Sequence, residues 1–126
     1  MPTNIRIIHA HEFIKATPEG QLDLDQAKEI LREIVSAEGP SFDYDVILDV
    51  RKAQPKLSTA DLWNLAAELD NLRKAFSRKT AVLCPLEGFD RAGFFALCAQ
   101  NRGVKVKAFS SFEDAINWLI GIEPDS

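Results

Sequence analysis

Residues Asp45–Leu69, DVILDVRKAQPKLSTADLWNLAAEL, contain the pattern that decides the expected fold. They open with VILDV (Val46–Val50), a run typical of a central strand that is covered on both faces. A loop containing Pro55 follows, and apolar residues then recur at the three- and four-residue spacing of an amphipathic helix. The stretch therefore predicts a strand, a loop, and a helix from Thr59 to about Lys74.

Strands and helices of the same kind flank this stretch. On its N-terminal side the sequence predicts two short strands, Ile5–Ala10 and Glu12–Ala16, and then a turn at Pro18–Gly20. A helix follows, which Asp23 caps and Gly39 ends. On its C-terminal side it predicts a strand, Thr80–Cys84, and a helix capped by Asp90. Another strand, Val104–Phe109, and a last helix that begins at Ser110 or Ser111 complete the prediction. The resulting order, β-β-α-β-α-β-α-β-α, predicts an α/β fold in which helices pack on a mainly parallel sheet of about five strands.

The composition restricts the class of protein. With 126 residues, 46% of them hydrophobic, the whole chain 1–126 fits a single domain. A net charge of −4 disfavours nucleic-acid binding, which needs a clustered cationic surface. The sequence has no apolar run near the roughly 18 residues of a transmembrane segment and no signal-peptide core. Cys84 and Cys98 lack a paired spacing, so we expect reduced core thiols in a cytoplasmic protein.

The segment CPLEGFDR, from Cys84 to Arg91, invites comparison with thiolate phosphatases. Those enzymes hold a phosphate with a low-pKa cysteine, backbone amides and an arginine. Here the six intervening residues are one too many, Pro85 removes an amide donor, and Glu87 and Asp90 add negative charge. We therefore favour a core thiol followed by a helix cap.

Other polar residues suggest chemistry more weakly. His9 and His11 face the same side of a strand, but without a third ligand nearby we expect a solvated sheet edge and no metal site. Asp49 lies near the carboxyl end of the central strand, where ligands of open α/β sheets bind, and is interpreted as a carboxylate that organises the loop. A cluster of cations suits either a helix C-terminus or an anionic partner: Arg73, Lys74, Arg78 and Lys79.

The start of the second predicted helix has two interpretations. Ser58 and Asp61 have the spacing of a capping box, which needs no further function. A hydroxyl at an exposed helix start is also accessible to a kinase, and the helix dipole would favour a phosphate there. The sequence contains no glycine-rich nucleotide fingerprint, Ser-His-Asp order or cysteine spacing for a metal, so we predict no catalytic residues, no metal and no cofactor.

Five segments, through their order and spacing, carry a resemblance to a known family: LDLDQAKEI after Gly20, then DYDVILDVRKA, PKLSTADLWNLA, RKTAVLCP and VKVKAFSSFEDAINWL. The chain resembles the STAS superfamily, the fold of bacterial anti-sigma-factor antagonists. It looks closest to the small stand-alone SpoIIAA-like branch, also described as STAS/SEC14-type. The resemblance covers most of the chain and implies a single STAS-like domain.

This resemblance implies a non-enzymatic regulatory or protein-interaction module. In family members of known role, a hydroxyl at the start of the helix after the central strand is phosphorylated, and partner binding then changes. By spacing from Asp49, the corresponding positions are Ser58 and Thr59, where Leu57-Ser58-Thr59-Ala60 replaces the family's acidic-Ser-Ser-Gly sequence. We expect Asp49, Ser58 and Thr59 to mark the contact or phosphorylation region for an unidentified protein partner, and leave homodimer formation open.

The SEC14 side of the resemblance implies a different function, the binding of a lipid or other apolar small molecule between helices and sheet. Four aromatic residues are candidates for lining such a cleft: Trp63, Phe89, Phe94 and Phe95. The same side chains are more simply interpreted as core, because a domain of 126 residues has little volume left over for a ligand.

Overall fold

Residues 4–10, 13–39 and 44–121 are described by the computed structural model of the chain. Within these ranges the chain forms six strands and four helices, in the order β1 (Asn4–Ala10), β2 (Phe13–Leu22), α1 (Leu24–Glu38), β3 (Asp45–Asp49), β4 (Ala53–Pro55), α2 (Thr59–Asn71), β5 (Thr80–Leu83), α3 (Phe89–Asn101), β6 (Val106–Phe109) and α4 (Phe112–Leu119). A 3₁₀ turn, Leu86–Gly88, precedes α3. The predicted α/β class is confirmed.

The sheet has the order β1-β2-β3-β5-β6, with β3 at its centre. The β1–β2 pair is antiparallel, whereas β2, β3, β5 and β6 pair in parallel. All five residues of β3 are buried, as its aliphatic sequence predicts for a strand covered on both faces. The mainly parallel sheet is therefore also confirmed.

Each face of the sheet carries its own core, because successive strand residues point to opposite faces. On one face, strand side chains pack against α1, α2 and α3; among them are Ala16, Leu48, Val82 and Val106. On the other face they pack against α4; among them are Ile47, Ala81, Leu83 and Phe109. The shared sheet thus separates a large core under three helices from a smaller one under α4.

Three of the predicted helix starts are confirmed, and one is wrong. Asp23 caps α1 in a reciprocal capping box with Gln26, and Ser58 and Ser111 cap α2 and α4. Asp90 does not cap α3, because the 3₁₀ turn before this helix lets it begin at Phe89. Asp90 instead lies in the first turn of α3.

Helix α2 is shorter than predicted. It ends at Asn71, and the chain then leaves the helix through Leu72, whose amide still bonds to carbonyls of the last turn. This departure lets Ala75 and Phe76 reach the core, where both are buried. Phe76 is therefore a core residue that does not lie on the helix.

The turn predicted at Pro18–Gly20 and the loop predicted around Pro55 are both wrong. Strand β2 continues to Leu22, since its second half pairs with β1 on one side and with β4 on the other. Pro18 lies where pairing with β3 has stopped and pairing with β4 has not begun, so no partner on that side needs its missing amide hydrogen. No helix of the described residues is long and apolar enough to cross a bilayer.

Candidate functional site

The start of α2 is the first candidate site, and a capping box builds it. Ser58 Oγ accepts a hydrogen bond from the Asp61 amide at 3.0 Å, and Asp61 Oδ2 accepts one from the Ser58 amide at 2.9 Å. The side chains of Ser58, Thr59 and Ala60 are exposed. This helix start therefore offers two hydroxyl groups to solvent, one of which already serves as the cap.

Asp49 organises the loop that follows β3. Its carboxylate accepts hydrogen bonds from the Arg51 amide at 3.1 Å and from the Arg51 guanidinium at 2.9 and 3.0 Å, and Lys15 Nζ lies 3.6 Å away. Burial by itself raises the pKa of Asp49, but the hydrogen bonds and charge of Arg51, together with Lys15, outweigh it and hold the pKa below its ordinary range. Asp49 is therefore an ionised carboxylate fixed by two cations.

The structure does not bring Asp49 together with the two hydroxyls. Asp49 and Ile47 are two apart on β3, so both point to the face that α4 covers. Helix α2, which carries Ser58 and Thr59, packs on the opposite face. Of the predicted contact set, the structure thus groups the two hydroxyl residues and places the carboxylate on the other side of the sheet.

An apolar cavity of about 350 Å³ is the second candidate site. It lies between the sheet and helices α1, α2 and α3, at the edge where β3 and β5 end. Its walls are mostly aliphatic side chains drawn from all of these elements, among them Leu22, Leu31, Leu48, Leu62 and Val82. The carboxyl edge of a parallel sheet is where α/β proteins usually bind ligands.

Of the four aromatic residues predicted to line a cleft, one lies in the described wall of the cavity. Phe95 lines the cavity, whereas Trp63, Phe89 and Phe94 are not among the described residues of its wall and are partly exposed. Trp63 instead lies against the guanidinium of Arg102, 4.9 Å from its ring centre. The aliphatic residues that form the wall were missed because in the sequence they have the same pattern as core residues.

Arg91 and Glu87 are exposed residues that also line the cavity, so they mark its opening. The Arg91 guanidinium reaches from α3 to the carbonyl of Leu57, the residue before the α2 cap. This hydrogen bond joins the second candidate site to the first. The sequence shows a cation in the first turn of α3, where the helix dipole disfavours one, but it does not indicate the partner of that cation.

The Cys84 thiol does not have the properties of a phosphatase nucleophile. It is 2% exposed, donates to the Phe109 carbonyl at 3.5 Å, and has its pKa raised by burial. A reactive thiolate needs a depressed pKa and access to substrate. The interpretation of Cys84 as a core thiol agrees with this geometry.

The cations after α2 do not form a joint anion site. Arg73 and Arg78 pair with Asp70 and Asp45, at 2.9 and 3.3 Å, and Lys79 donates to the Trp118 carbonyl at 2.8 Å. Lys74 is exposed. These contacts fix the turn between α2 and β5, which explains the cluster better than the helix dipole does, because α2 ends before it.

The paired histidines fall largely outside what the structure describes. The backbone of His9 pairs with Ile14 in the β1–β2 ladder, but the side chain of His9 and the whole of His11 lie outside the described residues. Within the described part of the chain, no group of three or more histidine, cysteine, aspartate or glutamate residues is placed to hold a metal ion.

Comparison with known proteins identifies the fold. No protein-family model and no curated protein matches the sequence. Solved structures do match: a DUF3478-family protein with a SpoIIAA-like fold from Shewanella loihica PV-4 (TM-score 0.62, 17% identity) and an anti-sigma factor antagonist from Mycobacterium paratuberculosis (TM-score 0.60, 14% identity). Each match covers 94% of this chain and 94% of the other. The chain therefore has a SpoIIAA-like fold.

Proposed function

We propose that the chain is a non-enzymatic regulatory module that binds a partner protein through the start of α2. The observation that carries this proposal is the exposure of Ser58, Thr59 and Ala60 at the start of a well-capped helix. The segment before them is also exposed, at Gln54 and Pro55 of β4 and at Lys56. One of the structurally similar proteins is an anti-sigma factor antagonist, which supports a regulatory function.

Phosphorylation is the proposed switch, and the two hydroxyls differ in what it would change. A phosphate on Thr59 would leave the Ser58–Asp61 capping box intact and would gain from the helix dipole. A phosphate on Ser58 would alter the group that caps the helix and would lie close to the carboxylate of Asp61. Thr59 is therefore the position at which a charge changes the surface without disturbing the helix.

The test separates partner contact from helix capping. Thr59→Ala and Thr59→Asp change the surface, while Ser58→Asn keeps a side chain that can cap and Ser58→Ala does not. Each full-length variant is used as bait in quantitative affinity capture from its native cells, and its thermal unfolding is measured in parallel. Phe112→Ala, which alters an exposed residue on α4 at the other face of the sheet, is the matched control.

We expect a specific partner whose capture changes with the Thr59 variants and not with Phe112→Ala. Capture that falls only in proportion to lost stability would reduce Ser58 to a structural cap. Identical capture by wild type, Thr59→Ala and Thr59→Asp would contradict both the contact surface and the switch.

A second function, binding of an apolar small molecule, is favoured by the cavity of about 350 Å³. This volume falls in the range of roughly 300–1,000 Å³ that small-molecule sites occupy. Native mass spectrometry of protein purified from its own cells tests this proposal directly. A retained mass that disappears on denaturation supports it, and a bare-chain mass that also fails to bind added hydrophobic probes contradicts it.

A further inference from the structure

Charge is sparse around the apolar cavity. Among the described residues that line it, Arg91 is the only cation and Glu87 the only anion. The one other polar side chain of the described wall, the Cys84 thiol, is already bonded to the Phe109 carbonyl. A ligand that enters the cavity therefore meets Arg91 as its single cationic hydrogen-bond donor.

The hydrogen bond to Leu57 uses only part of the hydrogen-bonding capacity of Arg91. It donates one hydrogen bond to the Leu57 carbonyl across the opening of the cavity. A guanidinium carries five N–H donors in a planar fork. A planar anion at the opening can therefore engage the fork with two parallel hydrogen bonds, a stronger arrangement than one bond to a neutral carbonyl.

We propose that the cavity binds an aliphatic monocarboxylate, whose chain lies against the apolar wall. Its carboxylate replaces the Leu57 carbonyl as the acceptor of hydrogen bonds from the Arg91 guanidinium. The inference rests on the apolar-ligand function proposed above and names the ligand class. The volume of about 350 Å³ lies near the small end of the usual range, so it suits a single alkyl chain better than a two-chain phospholipid.

The same exchange links the ligand to the start of α2. Leu57 immediately precedes Ser58, which caps α2 and is exposed beside Thr59. When the carboxylate binds the guanidinium, the Leu57 carbonyl loses its hydrogen bond from Arg91, and the segment before the helix loses that bond to α3. A neutral ligand of the same length leaves the hydrogen bond between Arg91 and the Leu57 carbonyl in place. Only the acid therefore changes the surface that carries the Ser58 and Thr59 hydroxyls.

The experiment uses the full chain with two probes, decanoate and 1-decanol, titrated by calorimetry. We expect Arg91→Gln to weaken decanoate binding by about tenfold or more and to leave 1-decanol within about twofold, because only the acid uses the charged hydrogen bonds. Glu87→Gln removes a like charge and should strengthen decanoate binding alone. Arg32→Gln, at an exposed arginine of α1 outside the cavity wall, is the matched control.

Amide chemical shifts of residues 57–62 provide the second measurement. Decanoate should shift them and 1-decanol should not, and ligand-free Arg91→Gln should show a related displacement because it also frees the Leu57 carbonyl. Arg91→Lys keeps the charge without the fork, so it supports the inference if it restores part of the affinity for decanoate. Thermal unfolding of each variant establishes that it is folded.

The outcomes distinguish this inference from the function on which it rests. If both probes bind wild type equally and Arg91→Gln changes neither, carboxylate recognition is overturned while apolar-ligand binding stands. If decanoate binds through Arg91 but the amides of residues 57–62 do not shift, the link to α2 is overturned. If neither probe binds, the apolar-ligand function fails and the inference fails with it.

Discussion

Ser58 and Asp61 satisfy each other's backbone amides at the start of α2, at 3.0 and 2.9 Å. The first amides of a helix have no partner within the helix, so this exchange supplies two bonds that the helix itself cannot. Aspartate occupies the position usually taken by glutamate or glutamine, and its shorter side chain still reaches the Ser58 amide. Ser58, one of the two candidate hydroxyls for modification, is therefore also a structural residue.

Removing this cap should destabilise the protein. We expect Ser58→Ala to lower the free energy of unfolding by about 1 kcal/mol, within a range of roughly 0.5–2 kcal/mol. Asp61→Ala should lower the free energy of unfolding by less than Ser58→Ala does. The double variant should lower it by less than the sum of the two single effects, because the two hydrogen bonds form one unit. Urea denaturation measures all three, with Thr59→Ala as the neighbouring control; a destabilisation by Thr59→Ala as large as that of Ser58→Ala would contradict the assignment.

Local patterns predicted most of the fold. The run VILDV predicted a buried central strand, and β3 is buried at each of its five residues because both faces of the sheet are covered. Capping residues predicted the starts of α1, α2 and α4 because a cap depends on residues only three apart. Where the interaction that decides an element lies within one turn or one strand, the sequence was sufficient to predict that element.

Interactions between distant segments account for what the sequence did not predict. Pro18 and Gly20 have the residue types of a turn, yet pairing with β1 and β4 keeps them in a strand. The cavity wall combines aliphatic residues from strands and helices that are far apart in the chain, and none of them differs locally from a core residue. The hydrogen bond between Arg91 and Leu57 spans 34 positions, beyond any local pattern.

The Asp49 carboxylate should make folding stability sensitive to acid. Although burial raises its pKa, the bonds from Arg51 lower it below the ordinary value of 3.8, so the native state favours the ionised form. The stabilisation is full above the unfolded-state pKa and is lost as pH falls through the native one. We expect Asp49→Asn to cost about 1–3 kcal/mol at pH 7 and the difference from wild type to narrow below about pH 4.

Thermal unfolding between pH 2.5 and 7 measures this effect. Asp25→Asn, at an exposed carboxylate in the first turn of α1, is the control. A constant difference between Asp49→Asn and wild type across this range would show that the ionised form is not what the native state favours.

Glu38 should act in the opposite direction. It is the last residue of α1, and burial raises its pKa from 4.5 to about 7. The native state therefore binds this proton more tightly than the unfolded state, and the stability contributed by the neutral carboxyl is lost as pH rises toward and through about 7. We expect Glu38→Gln to be progressively more stable than wild type from pH 5 to 8.

The exposed Glu33 on the same helix provides the matched substitution, Glu33→Gln. Its melting temperature should follow that of wild type through the whole interval. If Glu38→Gln and Glu33→Gln have the same pH profile, burial does not perturb the Glu38 carboxyl as we describe.

The two cysteines should differ in reactivity toward alkylating reagents. Cys84 is 2% exposed, bonds to the Phe109 carbonyl and has its pKa raised by burial, whereas Cys98 is half-buried on α3. The thiolate is the reactive form, so burial slows Cys84 both by limiting access and by lowering the thiolate fraction. We expect iodoacetamide at pH 7.5 to label Cys98 first, as read by peptide mass spectrometry, and guanidinium to equalise the two rates. Rapid labelling of Cys84 in the native protein, retained in Cys98→Ser, would show a reactive thiol and reopen the possibility of an enzyme.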